Sequence, residues 1–260
     1  MQAILFDMDG VLYEGDRAIE GAAEVIAWCR EQAIPHLFLT NTTSRPRPAL
    51  VEKLHGMGIT ARVDEILTPP VAAVNWLRQH MADPVALFVP QKTLDEFITL
   101  SNASTENEDV GAVVLGDLGE QWDFATYNRA FRLLMKNPAA QLIALGMTRY
   151  WQAEDGLRLD VGPFVKGLEY ATGVEPLVMG KPAQPFFHSA LSLLGVEAKD
   201  TLMIGDDIRG DIDGAHKAGL QAMLVRTGKF RQSDLTMGIT PDYIIDSVAD
   251  LPSWWSAQHN

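Results

Sequence analysis

Short apolar runs alternate along this chain with longer helix-patterned stretches, and that rhythm limits the fold more than any other feature. Residues 3–6 precede a helical pattern at 21–32, and 36–39 precede another at 46–55. A strand followed by a covering helix, repeated, is the signature of a parallel sheet in an α/β fold. The rhythm returns late in the chain at 185–194, 201–204, 208–217 and 222–225. Between the two blocks, runs at 85–89, 112–115 and 142–145 alternate with helices such as 124–135, enough chain for a lobe of its own. The Pro69-Pro70 pair and residues 173–176 are turn-forming stretches where a chain leaves and rejoins a sheet. The expected organisation is a core built from 1–72 and 179–260 with a second α/β domain, 73–178, inserted into it. The acidic stretch 101–109 reads as a solvated loop and 226–241 as irregular chain.

The balance of charges narrows the partners. The net charge of −13 opposes any sequence-blind grip on nucleic acid or on an anionic membrane. A single cysteine, Cys29, excludes an internal disulfide and any paired-cysteine zinc site, and places the protein in a reducing, cytoplasmic setting. It lies in a helical pattern beside Trp28, which reads as packing. No signal-like or membrane-spanning apolar segment is present, so a protein that neither spans nor crosses a membrane is expected. The six histidines show no metal-ligand spacing. Trp254 and Trp255 either pack the last helix onto the core or line a contact in a homodimer.

The chemistry is carried by carboxylates at predicted strand ends. Asp7-Met8-Asp9-Gly10 follows the first apolar run, where open α/β sheets place their ligand crevice. Residues two apart in extended chain face one side, so Asp7 and Asp9 can converge on one ligand while Gly10 turns the chain away. A polar turn is the plain alternative, and a calcium loop fails because its glycine belongs at the sixth position. A second group, Gly205-Asp206-Asp207 with Asp211 behind it, follows the run 201–204. There Asp207 reads first as a helix cap and Asp206 as a ligand brought beside Asp7. Oxygen-only ligands that leave room for water and a phosphate suit Mg²⁺. Thr40-Asn41 closes the second run and supplies a hydroxyl, an amide and backbone N–H groups. Lys181, in Gly180-Lys181-Pro182, offers a point charge to a phosphoryl oxygen. Glu175 and Pro182 stand where a P-loop needs Gly and Ser or Thr, and no Gly-x-Ser-x-Gly elbow exists.

In this order, Asp7-x-Asp9, Thr40, Lys181 and Gly205-Asp206 resemble the four motifs of the haloacid dehalogenase superfamily, most of whose members are phosphatases. The resemblance implies a Rossmann-like parallel-sheet core with helices on both faces. The long interval between Thr40 and Lys181 is similar to the branch with an α/β cap after the second motif. Within that branch the chain resembles the phospholysine phosphohistidine inorganic pyrophosphate phosphatases, through Leu159-Asp160-Val161-Gly162-Pro163-Phe164, Gly205-Asp206-Asp207-Ile208 and Val225-Arg226-Thr227-Gly228-Lys229-Phe230. Many members of the branch carry Thr and Asn where this chain has Gly210 and Thr42.

What the resemblance implies is a Mg²⁺-dependent phosphohydrolase acting on a small phosphorylated molecule, an ester, phosphoamide or pyrophosphate. Asp7 is the expected nucleophile, forming an aspartyl phosphate, and Asp9 the acid and then the base. Asp7, the Asp9 backbone carbonyl and Asp206 are the expected metal ligands, with Asp207 and Asp211 as supporting residues. Lys181, Thr40, Asn41 and Thr42 are expected to bind phosphate oxygens. Arg149, Tyr150, Asp160 and Phe164 are the cap residues expected to read the rest of the substrate. The rival readings are a phosphotransferase or phosphomutase of the same superfamily and a non-catalytic binder of a phosphorylated ligand.

Overall fold

In the computed structural model residues 1–81, 83–103, 109–153 and 155–258 are described, so 104–108 of the expected 101–109 loop lie outside the described residues. The chain divides into two compact units. One comprises Met1–Thr40, Arg47–Leu67 and Lys181–Asn260, the other Asn41–Pro46 and Thr68–Gly180. The junctions lie at 67/68 and 180/181, and residues 41–46 group with the second unit.

The first unit is built on a six-stranded parallel sheet in the order Tyr243–Ile245, Gln221–Val225, Thr201–Gly205, Ala3–Asp7, His36–Leu39, Ile66–Leu67. Ala3–Asp7 and His36–Leu39 are buried at every position, as a sheet covered on both faces requires. Ile4, Phe6 and Phe38 meet Val25, Ile26 and Cys29 of helix Ala22–Glu31 and Leu50 and Leu54 of helix Arg47–Gly56. Their neighbours Leu5, Leu37 and Leu39 point the other way and are equally buried, with helix Gln184–Leu194 packed against the His36–Leu39 strand. Trp255 meets Trp28 edge-on at 6.1 Å and Trp254 meets Tyr243 at 4.6 Å, so both tryptophans pack helix Leu251–Gln258 onto this unit.

The second unit is also α/β. Its parallel sheet runs Pro176–Val178, Gln141–Ala144, Ala112–Leu115, Val85–Phe88, and helices Phe124–Lys136 and Val161–Thr172 pack over a core that includes Phe88, Leu115, Leu134, Leu142 and Val165. Pro69 and Pro70, read from sequence as a turn, instead open helix Pro69–His80. Proline lacks only an N–H that a first helical turn leaves unpaired anyway. Gly173 ends helix Val161–Thr172 in the left-handed conformation. No described helix is long and apolar enough to cross a membrane.

Candidate active site

The sheet places the acidic residues before any side chain is considered. Asp7 lies opposite Leu39 and Phe6 opposite Ile204 in parallel register, so Asp7, Thr40 and Asp206 leave the carboxyl ends of three adjacent strands. Strand His36–Leu39 lies on one side of Ala3–Asp7 and Thr201–Gly205, from late in the chain, on the other. The crevice between such strands is where α/β folds bind ligands.

Glycines make room for the carboxylates. At Gly10, whose φ is +90°, a Cβ would overlap the Asp206 carboxylate, as would one at Gly228. One at Gly205 would run into the Asp211 side chain. Helical turn Ile208–Asp213, wound as a π-helix, returns Asp211 beneath the end of the Thr201–Gly205 strand, with the Asp207 N–H donating to Asp211 Oδ2 at 3.1 Å. The Asp207 side chain accepts from the N–H groups of Arg209 and Gly210, both at 2.9 Å, so it is the cap that the sequence suggested.

Lys181 binds the cluster together. Its Nζ donates to Asp7 Oδ1 at 2.5 Å and lies 2.7 Å from Asp211 Oδ1. All three residues are buried, as is Asp206. Burial by itself would lower the Lys181 pKa, but Asp211 and Asp7 reverse this and hold the ammonium charged. Burial raises the pKa of Asp7 against the pull of Lys181, and likewise that of Asp206 against the hydrogen bond from Lys229. Asp211 is pushed up to about 6 by burial and by the Asp7 charge, with Lys181 opposing. Three carboxylates facing one ammonium are short of positive charge.

The shortage has a location. Carboxylate oxygens of Asp7, Asp206 and Asp211 lie within 4.8 Å of one another. Asp206 Oδ2 accepts from the Lys229 N–H at 2.7 Å, while Oδ1 is buried with no hydrogen-bond partner. A buried carboxylate oxygen left in this way is a ligand in waiting, and an all-oxygen set of donors fits a hard divalent cation.

The remaining expected residues fall as follows. Asp9 is exposed, just past the end of the first strand, where it pairs with Tyr13 in a short bridge. Thr40 is buried and its N–H donates to Leu67 O at 3.2 Å. Asn41 and Thr42 are the first residues of the second unit. There Asp160 caps helix Val161–Thr172, its carboxylate accepting from the Val161 N–H at 2.6 Å. Phe164 stacks on Trp122 at 4.8 Å, a packing role. Arg149 lies over the ring of Tyr150, itself half exposed on the hairpin of Tyr150–Ala153 with Gly156–Leu159. Cys29 is buried, which pushes its thiol pKa up to about 12 and fits packing rather than nucleophilic chemistry.

In the sequence the segment 225–230 carries part of the family resemblance but is given no role in the site, whereas the structure ties this loop, after strand Gln221–Val225, to the carboxylates. Thr227 Oγ1 donates to Gly10 O at 2.5 Å, the Gly228 N–H to Glu14 Oε1 at 2.7 Å, and the Lys229 N–H to Asp206. Thr227-Gly228-Lys229 follows the apolar run 222–225 after one intervening residue, Arg226, a strand-end position like those of Asp7 and Asp206, and that position is the signal the sequence offers.

Comparison with known proteins agrees with this geometry. A haloacid dehalogenase-like hydrolase family model matches residues 4–103, and a HAD-hydrolase-like model matches residues 178–251. The chain is 40% identical over 238 residues to the phospholysine phosphohistidine inorganic pyrophosphate phosphatase of Homo sapiens, covering 90% of this chain and 86% of that protein. It is similar to the solved structure of a hypothetical protein from Pyrococcus horikoshii OT3, with a TM-score of 0.88 at 28% identity over 98% of this chain and 100% of that one. The p-nitrophenyl phosphatase from Archaeoglobus fulgidus gives a TM-score of 0.85 at 26% identity, covering 97% and 98%. With its strand-end carboxylates, buried lysine and α/β core, this chain belongs to the haloacid dehalogenase-like hydrolase family and stands among that family's phosphatases.

Proposed function

We propose that this protein is a Mg²⁺-dependent phosphohydrolase that cleaves a small phosphorylated substrate through an aspartyl phosphate on Asp7. The observation that carries the reading is the buried Asp7–Lys181–Asp211 arrangement beside an Asp206 oxygen that has no partner. Asp7, Asp206 and the Asp9 backbone carbonyl are the residues assigned to the metal, with Asp211 close by in the same cluster. Bound there, Mg²⁺ supplies the positive charge that offsets repulsion between carboxylates and an incoming phosphate.

The chain's own groups then divide the work. An Asp7 oxygen attacks phosphorus, the bond to the leaving oxygen breaks, and Asp9 gives that oxygen its proton. In the second half Asp9 takes a proton from water as the water attacks phosphorus, returning Asp7 as a carboxylate and releasing inorganic phosphate. Lys181 fixes the Asp7 carboxylate and neutralises part of the charge that moves onto the phosphoryl oxygens, and the Thr40 hydroxyl donates to one of them. The name of the human relative, which includes an inorganic pyrophosphate, and that of the archaeal nitrophenyl phosphatase both support hydrolysis at phosphorus.

The test is phosphate release from p-nitrophenyl phosphate with Mg²⁺ or with a chelator. The expected result is metal-dependent release that falls at least about a thousandfold in Asp7→Asn. Equal release by both proteins, or transfer of the phosphoryl group to an added sugar in preference to water, overturns the reading.

A further inference from the structure

The Asp206 carboxylate is flanked by two glycines at positions where no side chain fits. A Cβ at Gly10 would overlap Asp206 Oδ2, and one at Gly228 would strike both that oxygen and the Cα of Gly10. The chain segments that follow strands Ala3–Asp7 and Gln221–Val225 therefore close on Asp206 with only backbone between them. Gly228 sits there with a φ of +64°. Glycine restrains its own backbone least of all residues, so a loop that needs Gly228 for clearance must have its conformation held from outside.

The restraint comes from the hairpin of Tyr13–Glu14 with Arg17–Ala18. Glu14 Oε1 accepts from the Gly228 N–H at 2.7 Å, and the next N–H along the chain, that of Lys229, donates to Asp206 Oδ2 at 2.7 Å. Peptide units are planar, so only the two dihedrals of Gly228 separate one N–H from the other, and fixing the first helps to aim the second. The hairpin is itself anchored. Tyr13 is buried, its carbonyl accepts from the Gly10 N–H at 2.7 Å, and the Lys53 ammonium lies 4.0 Å from its ring centre. Thr227 Oγ1 adds a bond from the loop to Gly10 O. Glu14 is exposed and is none of the residues assigned to the metal or the phosphoryl group.

We propose that Glu14 is a positioning residue for the metal site: it holds the Gly228 N–H and, through the adjoining Lys229 N–H, sets the Asp206 carboxylate so that Oδ1 is left for the cation. The inference rests on the assignment of Mg²⁺ to Asp7 and Asp206, and it extends that assignment to a side chain outside the cluster. Hydrogen bonds that orient a ligand carboxylate before the cation arrives raise affinity, because less ordering remains to be done on binding.

Mg²⁺ titrated calorimetrically into the intact protein, without substrate, tests this independently of turnover. The wild type is expected to bind Mg²⁺ and Glu14→Ala to bind it about five- to tenfold more weakly. Glu14→Gln, which keeps an acceptor oxygen on a side chain of the same length, is expected to stay within about threefold of the wild type. Position 14 is exposed, so neither substitution disturbs the core, and circular dichroism checks this. Equal affinity in Glu14→Ala and the wild type overturns the proposal. So does equal weakening in both variants, the mark of a carboxylate acting by charge at a distance instead of by its hydrogen bond. A wild type that takes up no Mg²⁺ overturns the metal assignment and this proposal with it, whereas the nucleophile stands or falls separately on Asp7→Asn in the aryl phosphate assay.

Discussion

A methyl group at position 10 is the smallest change that should disable this site. Gly10 adopts a φ of +90°, and a Cβ there would overlap the Asp206 carboxylate. Gly10→Ala should therefore displace Asp206 and, since misplacing a catalytic group by about 1 Å costs on the order of a hundredfold, lower Mg²⁺-dependent turnover by about that factor or more. Circular dichroism should show the fold retained. Wild-type kcat/KM in a folded Gly10→Ala protein would contradict the geometry assigned to Asp206. At this scale the sequence was most informative where chemistry repeats a position. Asp7, Asp206, Thr40 and Lys181 could be picked out because each follows an apolar run or a turn at a predictable edge. Asp211 and Lys229 could not be ranked. The pairing of Lys181 with Asp7 spans 174 positions, and Asp211 joins it only through the turn of a π-helix that no local pattern announces.

Among the elements, strand His36–Leu39 makes the sharpest claim outside the site. His36 opens it as a buried residue, its Nδ1 lying 2.9 Å from Ile34 O and its ring edge-on to Phe38 at 5.6 Å and to Phe6 at 6.2 Å. Burial, opposed by the Ile34 contact and the Glu65 charge, lowers its pKa, so the folded protein keeps the imidazole neutral where the unfolded chain takes up a proton. Because the unfolded state binds more protons, stability rises with pH in this window. It should be lost as pH falls below the ordinary imidazole value of about 6.5, by up to about 1.4 kcal/mol per pH unit. Urea unfolding of the wild type and of His36→Gln at pH 7.5 and pH 5.5 (about two units spanning that value) checks it. The wild type should lose more stability on acidification than the variant, and equal losses would contradict the assignment.

The longer strands of this sheet were readable because both faces are buried, which makes them unbroken apolar runs. The two-residue strand Ile66–Leu67 and the edge strand Tyr243–Ile245 were not, since runs that short carry no period. The same holds for the hairpin of Tyr13–Glu14 with Arg17–Ala18, which carries Glu14.

The molecule as a whole is an interleaved chain. It leaves the first unit after Thr40, returns at Arg47, leaves again after Leu67 and re-enters it at Lys181. The first residue of that last return is the lysine paired with Asp7. A net charge of −13 makes such local cations essential, because an anionic substrate approaches a protein that repels it on average. The presence of two α/β blocks was legible from the recurrence of the strand–helix rhythm. The allegiance of residues 41–46 was not, because a few polar residues between two elements have no apolar face to declare a side.

The central proposal is that Asp7 carries the phosphoryl group as an aspartyl phosphate in each turnover, and one measurement addresses it directly. Asp9→Asn removes the group proposed to activate water while Asp7 and Lys181 remain, so the phosphoenzyme should accumulate. Mixed rapidly with p-nitrophenyl phosphate and Mg²⁺, this variant should release nitrophenolate in a burst of about one equivalent per site. Borohydride reduction of the quenched protein should then convert position 7 to homoserine, identified by mass spectrometry of the peptide that carries it. Steady release without a burst, or a reduced residue at any other position, would contradict the account.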